Sequence, residues 1–139
     1  MQKALLLAEE AYDQGEIPVG AVVVAGGRRI IGKGRNQTEQ LTDVTAHAEM
    51  LALTAASNFL GAKYLKDCTL YVTLEPCLMC AGALAWAQIG AVVYGAPDEK
   101  KGFSRWTPGA LHPKTQVISG VLSAASEQLM KQFFKRLRA

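Results

Sequence analysis

The stretch from Cys68 to Gly95 restricts the fold more than any other part of this chain. "CTLYVTL" reads as a strand cut off by Glu75-Pro76. Pro76 is well placed to precede a helix running from Cys77 to about Gln88, and "AVVYG" then reads as a second strand, apolar enough to be buried on both faces. Strand, helix and strand within about thirty residues form a βαβ unit with parallel strands and a right-handed crossover.

The flanking sequence adds elements to that unit. Residues 2 to 14 place Leu5, Ala8 and Tyr12 on one face with acids on the other, which predicts an amphipathic helix ending near Gly15. "VGAVVV" and "RRIIGKG" are β-branched runs joined by Ala25-Gly26-Gly27, whose glycines suit the positive φ of a tight hairpin, so two antiparallel strands follow. "AHAEMLALTAAS" is rich in good helix formers, and Thr45 can cap it. "DEKKGFSRWTPGALHPKT", from Asp98 to Thr115, has no clear period and reads as a long loop of the kind that borders a site. "QVIS" is a short fifth strand, and Ser123 to Arg138 a last helix. The predicted fold is α/β: a three-layer α/β/α sandwich around a mixed five-stranded sheet. At 139 residues, half of them apolar, residues 1–139 have the size of a single domain.

Within this frame two helix starts carry chemistry. Cys77 and Cys80, three apart on a first helical turn, share a face and aim two thiols at one point, where unpaired amides favour the thiolate. A soft divalent cation is the natural third party. His47 supplies an imidazole, which makes a Cys2His set with one position open, the arrangement of catalytic rather than structural zinc. Glu49 is the obvious base, able to take a proton from water and return it to substrate. Residues two apart on a regular helix point about 200° away from one another, so His47 has to sit in the cap or first turn. Taken singly, a helical His, a neighbouring Glu and a Cys-x-x-Cys are each ordinary; together, His47, Glu49, Pro76, Cys77 and Cys80 follow in order the H-x-E and P-C-x-x-C signature of zinc deaminases. Cys68 has no partner at ligand spacing and reads as a small buried apolar residue.

The net charge of +3 is too small to argue for nucleic acid, but its distribution is uneven. Lys131, Lys135, Arg136 and Arg138 crowd the last nine residues without an acid, while Leu129, Phe133 and Leu137, with Met130 and Phe134 beside them, form an apolar stripe on the same helix. Such a helix is either a docked element with a solvated basic face or a surface for a single-stranded loop, through phosphate attraction and base stacking. The N-terminal apolar run is too short for a signal peptide, no run reaches membrane length, and three cysteines make a poor disulfide framework. A cytoplasmic location is expected.

"EIPVGAVVV", "GRNQ", "TAHAEMLAL", "TLYVTLEPCLMCAGAL", "IGAVVYGAPDEKKG" and "FFKRLR" together resemble, in order, the blocks of the bacterial tRNA adenosine deaminases of the cytidine deaminase superfamily. That resemblance covers nearly the whole chain. It implies conversion of adenosine to inosine at the wobble position of a tRNA anticodon stem-loop, with Zn2+ held by His47, Cys77 and Cys80, and protons moved by Glu49. It also implies that Asn36 hydrogen-bonds the purine, that Val19 and Leu74 line the base pocket, and that Asp98 lies near the sugar; the basic face of the last helix, independently, makes Phe134 the candidate to meet the RNA. Members are often homodimers, for which the helix beginning at Cys77, with Leu84 and Trp86, offers a face; Trp86 reads equally well as core. Val44 stands where the family often has proline, and "FSRWTPGALHPKT" and "SAASEQLM" depart furthest from its pattern.

Two other readings stand beside this one. A deaminase of free bases or nucleosides, of guanine or cytosine type, would use the same zinc site with residues 102–115 closing over a small molecule. A structural zinc or RNA-binding module would need a fourth ligand; no residue stands at a fitting spacing, though Cys68 or His112 could be proposed. The roles of Trp106 and His112 stay open.

Overall fold

A computed structural model describes residues 1–139. The elements run α1 (Gln2–Asp13), β1 (Gly20–Ala25), β2 (Arg29–Arg35), α2 (Ala48–Leu60), β3 (Cys68–Leu74), α3 (Leu78–Ala87), β4 (Ala91–Ala96), α4 (Phe103–Trp106), β5 (Gln116–Ile118) and α5 (Ser123–Arg138). The sheet order is β2-β1-β3-β4-β5. β1 pairs antiparallel with β2 and β3, while β3, β4 and β5 are parallel, so the sheet is mixed as the sequence predicts. Gly26 and Gly27, at φ of 59° and 74°, make the hairpin turn that L side chains resist.

The period-2 alternation of the strands sorts side chains into two layers. Ala21 and Val23 of β1, Leu70 and Val72 of β3, and Val92 and Tyr94 of β4 meet Ala48, Ala52, Leu53 and Ala56 of α2 and Ala81 and Leu84 of α3 in one core. The opposite face is covered by α1 and α5. There the Ser126 hydroxyl donates to the Thr73 carbonyl, and the Thr73 hydroxyl oxygen accepts the Gly20 amide at 3.2 Å. Arg136 stacks its guanidinium 4.0 Å from the Tyr12 ring centre and donates to the Tyr12 carbonyl at 2.9 Å, which fixes the rotation of α5 on α1. No helix is long and apolar enough to cross a membrane.

One close approach sets the height of α2 above the sheet. A Cβ at Gly34 would overlap the Ala48 carbonyl oxygen and lie 2.8 Å from the Ala52 amide nitrogen, so only glycine lets the small Ala48, Ala52 and Ala56 face of α2 rest on β2. The first turn of α2, where the chemistry sits, is thereby seated on backbone.

Several expectations need correction. α2 starts at Ala48 rather than near Thr45, because Asp43 Oδ1 accepts both the Thr45 amide (2.8 Å) and its hydroxyl (2.7 Å), a local turn that withdraws Thr45 from capping. On α1 the buried face is Ala4, Ala8 and Ala11, with Leu5 and Tyr12 only half-buried at its edges. Leu84 and Trp86 do not share a face: two residues apart on a helix they point to opposite sides, Leu84 into the core and Trp86 out to 85% exposure. The last-helix stripe stops short of Leu137, which is exposed on the last turn. The long loop after β4 contains the single turn α4, whose Phe103 packs edge-on against Tyr94.

Candidate metal centre and active site

β2 and β3 end on the same side of the sheet, and each is followed by a helix whose first turn faces the other's. His47 is the N-cap of α2, in extended conformation at φ −73°, ψ 154°. Cys77 is the N-cap of α3 at φ −72°, ψ 173°, placed there by Pro76. The extended caps meet the geometric requirement stated above: His47 is not yet helical, so it and Glu49 need not diverge. The His47 Nδ1 lies 3.6 Å from Cys77 Sγ and 3.5 Å from Cys80 Sγ. The donor atoms of His47, Cys77 and Cys80 all lie within 4.8 Å of one another, and no fourth His, Cys, Asp or Glu joins them.

Electrostatics at this point favour a cation. The Cys77 thiol is pushed down to about 4, first by a hydrogen bond from Cys80 and then, against burial, by one from His47. The Cys80 thiol moves the other way, because it donates to Cys77 and is buried beside Glu49. The two thiols are coupled through that hydrogen bond and titrate as a pair. His47 is raised chiefly by the Cys77 sulfur. The Glu49 carboxyl, 4% exposed, is pushed up to about 7, mainly by burial, with its own backbone amide and His47 opposing and Cys77 adding to the rise. Two soft sulfurs and an imidazole nitrogen, already gathered and carrying negative charge, fit a tetrahedral zinc-type ion with one position left open.

A cavity of about 870 Å3 opens above this cluster. It is lined by Val19, Asn36, His47, Glu49, Leu74, Cys77, Asp98 and Phe134, so every expected site residue except Cys80 reaches it; Cys80 lies fully buried behind Cys77. Asn36 lines the wall and also serves the turn: its Nδ2 donates to the Ile17 carbonyl at 3.2 Å, and its Oδ1 accepts the Thr38 amide at 3.3 Å. Asp98 likewise spends one carboxylate oxygen on the amides of Lys100 (3.1 Å) and Lys101 (3.0 Å). Lys131, also on the wall, pairs with Glu127 at 2.9 Å, so the basic face of α5 is partly neutralised. Trp106 and His112 stand apart from the cavity: Trp106 Nε1 donates to the Lys100 carbonyl at 2.9 Å, and His112 Nδ1 accepts the Lys114 amide at 3.1 Å. Cys68 is 3% exposed at the far end of β3 and its thiol is pushed up by burial, as an inert core residue would be. Neither Cys68 nor His112 supplies the closed fourth position of a structural zinc.

The sequence reading overlooked Glu75, Lys101 and Glu127 among the wall residues. Only Glu75 left a signal, as a lone acid at the end of an apolar strand with no basic neighbour in sequence.

Residues 1–138 match the family described as MafB19-like deaminase. The tRNA-specific adenosine deaminase of Aquifex aeolicus is 44% identical, over 99% of this chain and 93% of that protein. A solved structure from work on A-to-I editing by tRNA:A34 deaminases at the wobble position superposes with a TM-score of 0.86 at 41% identity, covering 93% of this chain and 96% of the other. The chain belongs to the tRNA-specific adenosine deaminase family. The chain is also similar to guanine deaminases: that of Nitrosomonas europaea has a TM-score of 0.83 at 26% identity, over 95% of this chain and 81% of that one, and that of Bacillus subtilis a TM-score of 0.65 at 46% identity, over 69% of this chain and 61% of that one.

Proposed function

We propose that this chain hydrolyses adenosine to inosine at the wobble position of a tRNA anticodon, using zinc held by His47, Cys77 and Cys80. The observation that carries the reading is the convergence of those three donors beside the buried Glu49 at the base of the cavity, in a chain similar to wobble deaminases over nearly its full length. Zinc, when bound, supplies a Lewis acid that brings the acidity of water toward neutrality. Glu49 accepts the proton that water gives up as its oxygen adds to C6 and delivers it to the adjacent ring nitrogen, then takes the remaining proton of the added hydroxyl and passes it to the departing amine. Adenosine and water become inosine and ammonia, and the carboxylate ends as it began. Asn36 orients the purine, Val19 and Leu74 exclude water from its faces, Asp98 lies toward the sugar, and Phe134 at the mouth stacks on a flanking base. The anticodon loop offers unpaired bases, so bringing one into the cavity costs little.

A second reading, deamination of a free base of guanine type, draws support from the likeness to guanine deaminase. The discriminating experiment offers the purified zinc protein an anticodon stem-loop with adenosine at the wobble position, alongside guanine, cytosine and free adenosine, and measures ammonia and inosine. Turnover of the RNA alone, abolished by a chelator and restored by zinc, supports the first reading; turnover of a free base with indifference to RNA overturns it.

The same reading makes residues 1–139 one catalytic domain working in the cytoplasm as a homodimer. Support for the dimer is the outer face of α3, where Leu78, Met79 and Trp86 are exposed. Sedimentation giving a monomer at assay concentrations would remove it.

A further inference from the structure

Glu75 is 4% exposed and has no basic partner, yet it stands one residue before Pro76 and two before Cys77. A buried carboxylate without a cation needs several donors to remain in place. All of its donors come from one segment. The Asp98 amide donates to Oε1 at 3.1 Å; the Ser104 amide and hydroxyl donate to Oε2 at 3.0 Å and 2.5 Å. Between those points the chain turns tightly, with the Gly102 amide donating to the Asp98 carbonyl at 2.8 Å and the Phe103 amide to the Pro76 carbonyl at 2.9 Å. Gly102 pairs with Cys77 in an isolated bridge and passes so close to the carboxylate that an added Cβ would lie 2.5 Å from Oε1 and from the Asp98 carbonyl oxygen.

The segment held in this way is a wall of the cavity. Asp98, Glu99, Lys100 and Lys101 all line it, and the Lys101 charge is near enough to bear on His47. We infer that Glu75 is a positioning residue for substrate: its buried carboxylate clamps residues 98–104 into a preformed wall, so that the incoming nucleotide does not have to order it. The inference rests on the RNA-deaminase reading for the identity of that nucleotide, and on the hydrogen bonds alone for the clamp. A glutamine in its place has one acceptor and one donor at its tip. It can satisfy the Asp98 amide or the Ser104 amide, not both, and leaves the other part-buried N–H facing a donor.

The test compares the zinc-loaded wild type with Glu75→Gln, reading hydrogen exchange along the chain, zinc per chain, and kcat and KM on the wobble-adenosine stem-loop. We expect exchange at Asp98 and Ser104 to speed up about ten-fold and KM to rise by about the same factor, the consequence of one lost buried acceptor. Exchange in β3 and β4 and zinc content stay unchanged, and kcat stays within about two-fold because the reacting groups are untouched. Zinc loss, a fall in kcat at constant KM, or faster exchange throughout the core would make Glu75 a structural or metal-site residue and overturn the inference. So would unaltered exchange and KM. Should Glu75→Gln fail to fold, Ser104→Ala, which removes only the hydroxyl bond, and Gly102→Ala, which presses a methyl on the carboxylate, carry the test. Both must loosen the same two amides, and failure of either to do so refutes the clamp. A wild type that ignores the RNA but deaminates a free base sinks the RNA reading; the clamp is then judged by exchange and by KM for that base.

Discussion

His47 and Cys77 reach the floor of the cavity from extended caps on α2 and α3, helices seated on the sheet through Gly34 and through the core residues Ala81 and Leu84. Phe134, Lys131 and Arg138 reach its mouth from α5, which docks mainly through Ser126 and Phe133 and leaves most of its other residues exposed. The floor is made of short, half-buried or buried side chains on helix starts packed against the core. The mouth is made of long or flat side chains with room to move. The chemistry is therefore fixed by packing, whereas substrate choice depends on groups that packing leaves adjustable.

That contrast gives changes of graded size. The largest effect is expected from Glu49→Ala: kcat on the stem-loop should fall by about 10²–10⁴-fold, the usual contribution of a proton-moving group, while zinc per chain measured by metal analysis stays the same. Loss of zinc in this variant would make Glu49 part of the metal set and blur the division between donor and base. Gly34→Ala touches the floor through its support. The new methyl meets the Ala48 carbonyl and Ala52 amide, so overpacking of about 1–3 kcal/mol should lower the melting temperature by roughly 5–10 °C and weaken zinc retention. A variant as stable as the parent would show that α2 is not seated as described.

At the mouth the changes should spare the chemistry. Phe134→Ala removes a stacking face worth about 1–3 kcal/mol, so KM for the stem-loop rises while turnover of a free nucleoside, if any, is untouched. Equal loss on both substrates would move Phe134 from the mouth to the floor. The smallest effect is expected from Arg138→Ala: one phosphate contact fewer, which reduces the slope of log affinity against log salt by about 0.7 for single-stranded RNA. Lys131→Ala should change that slope less, because Glu127 at 2.9 Å already holds its charge.

Much of the floor could be read without a structure. The i, i+3 spacing of Cys77 and Cys80 after Pro76 leaves few alternatives to two sulfurs on one helical face, and the strands either side fix the parallel unit beneath them. Asn36, Val19, Leu74 and Asp98 were legible only through likeness to a family, since each alone is an ordinary turn, core or surface residue. Glu75 went unread because its partners, Asp98 and Ser104, lie more than twenty residues away, and no local pattern announces a hydrogen bond across such a gap. The face of α5 is only half legible: periodicity gives Phe133 and Met130 but places the exposed Leu137 with them, since a stripe in sequence does not show where the packed surface stops.

The sequence by itself determined the parallel unit and the helical face that Cys77 and Cys80 share, because both follow from spacing and local propensity. Only the tertiary structure decided that His47 and Glu49 serve one place. Asp43 removes Thr45 from the cap, the backbone stays extended through His47, and α2 begins one residue later with Glu49 turned inward beside it. Likewise only the docking of Arg136 on Tyr12 turns Phe134 toward the cavity, because a helix sets the order of its faces but not its own rotation against a neighbour.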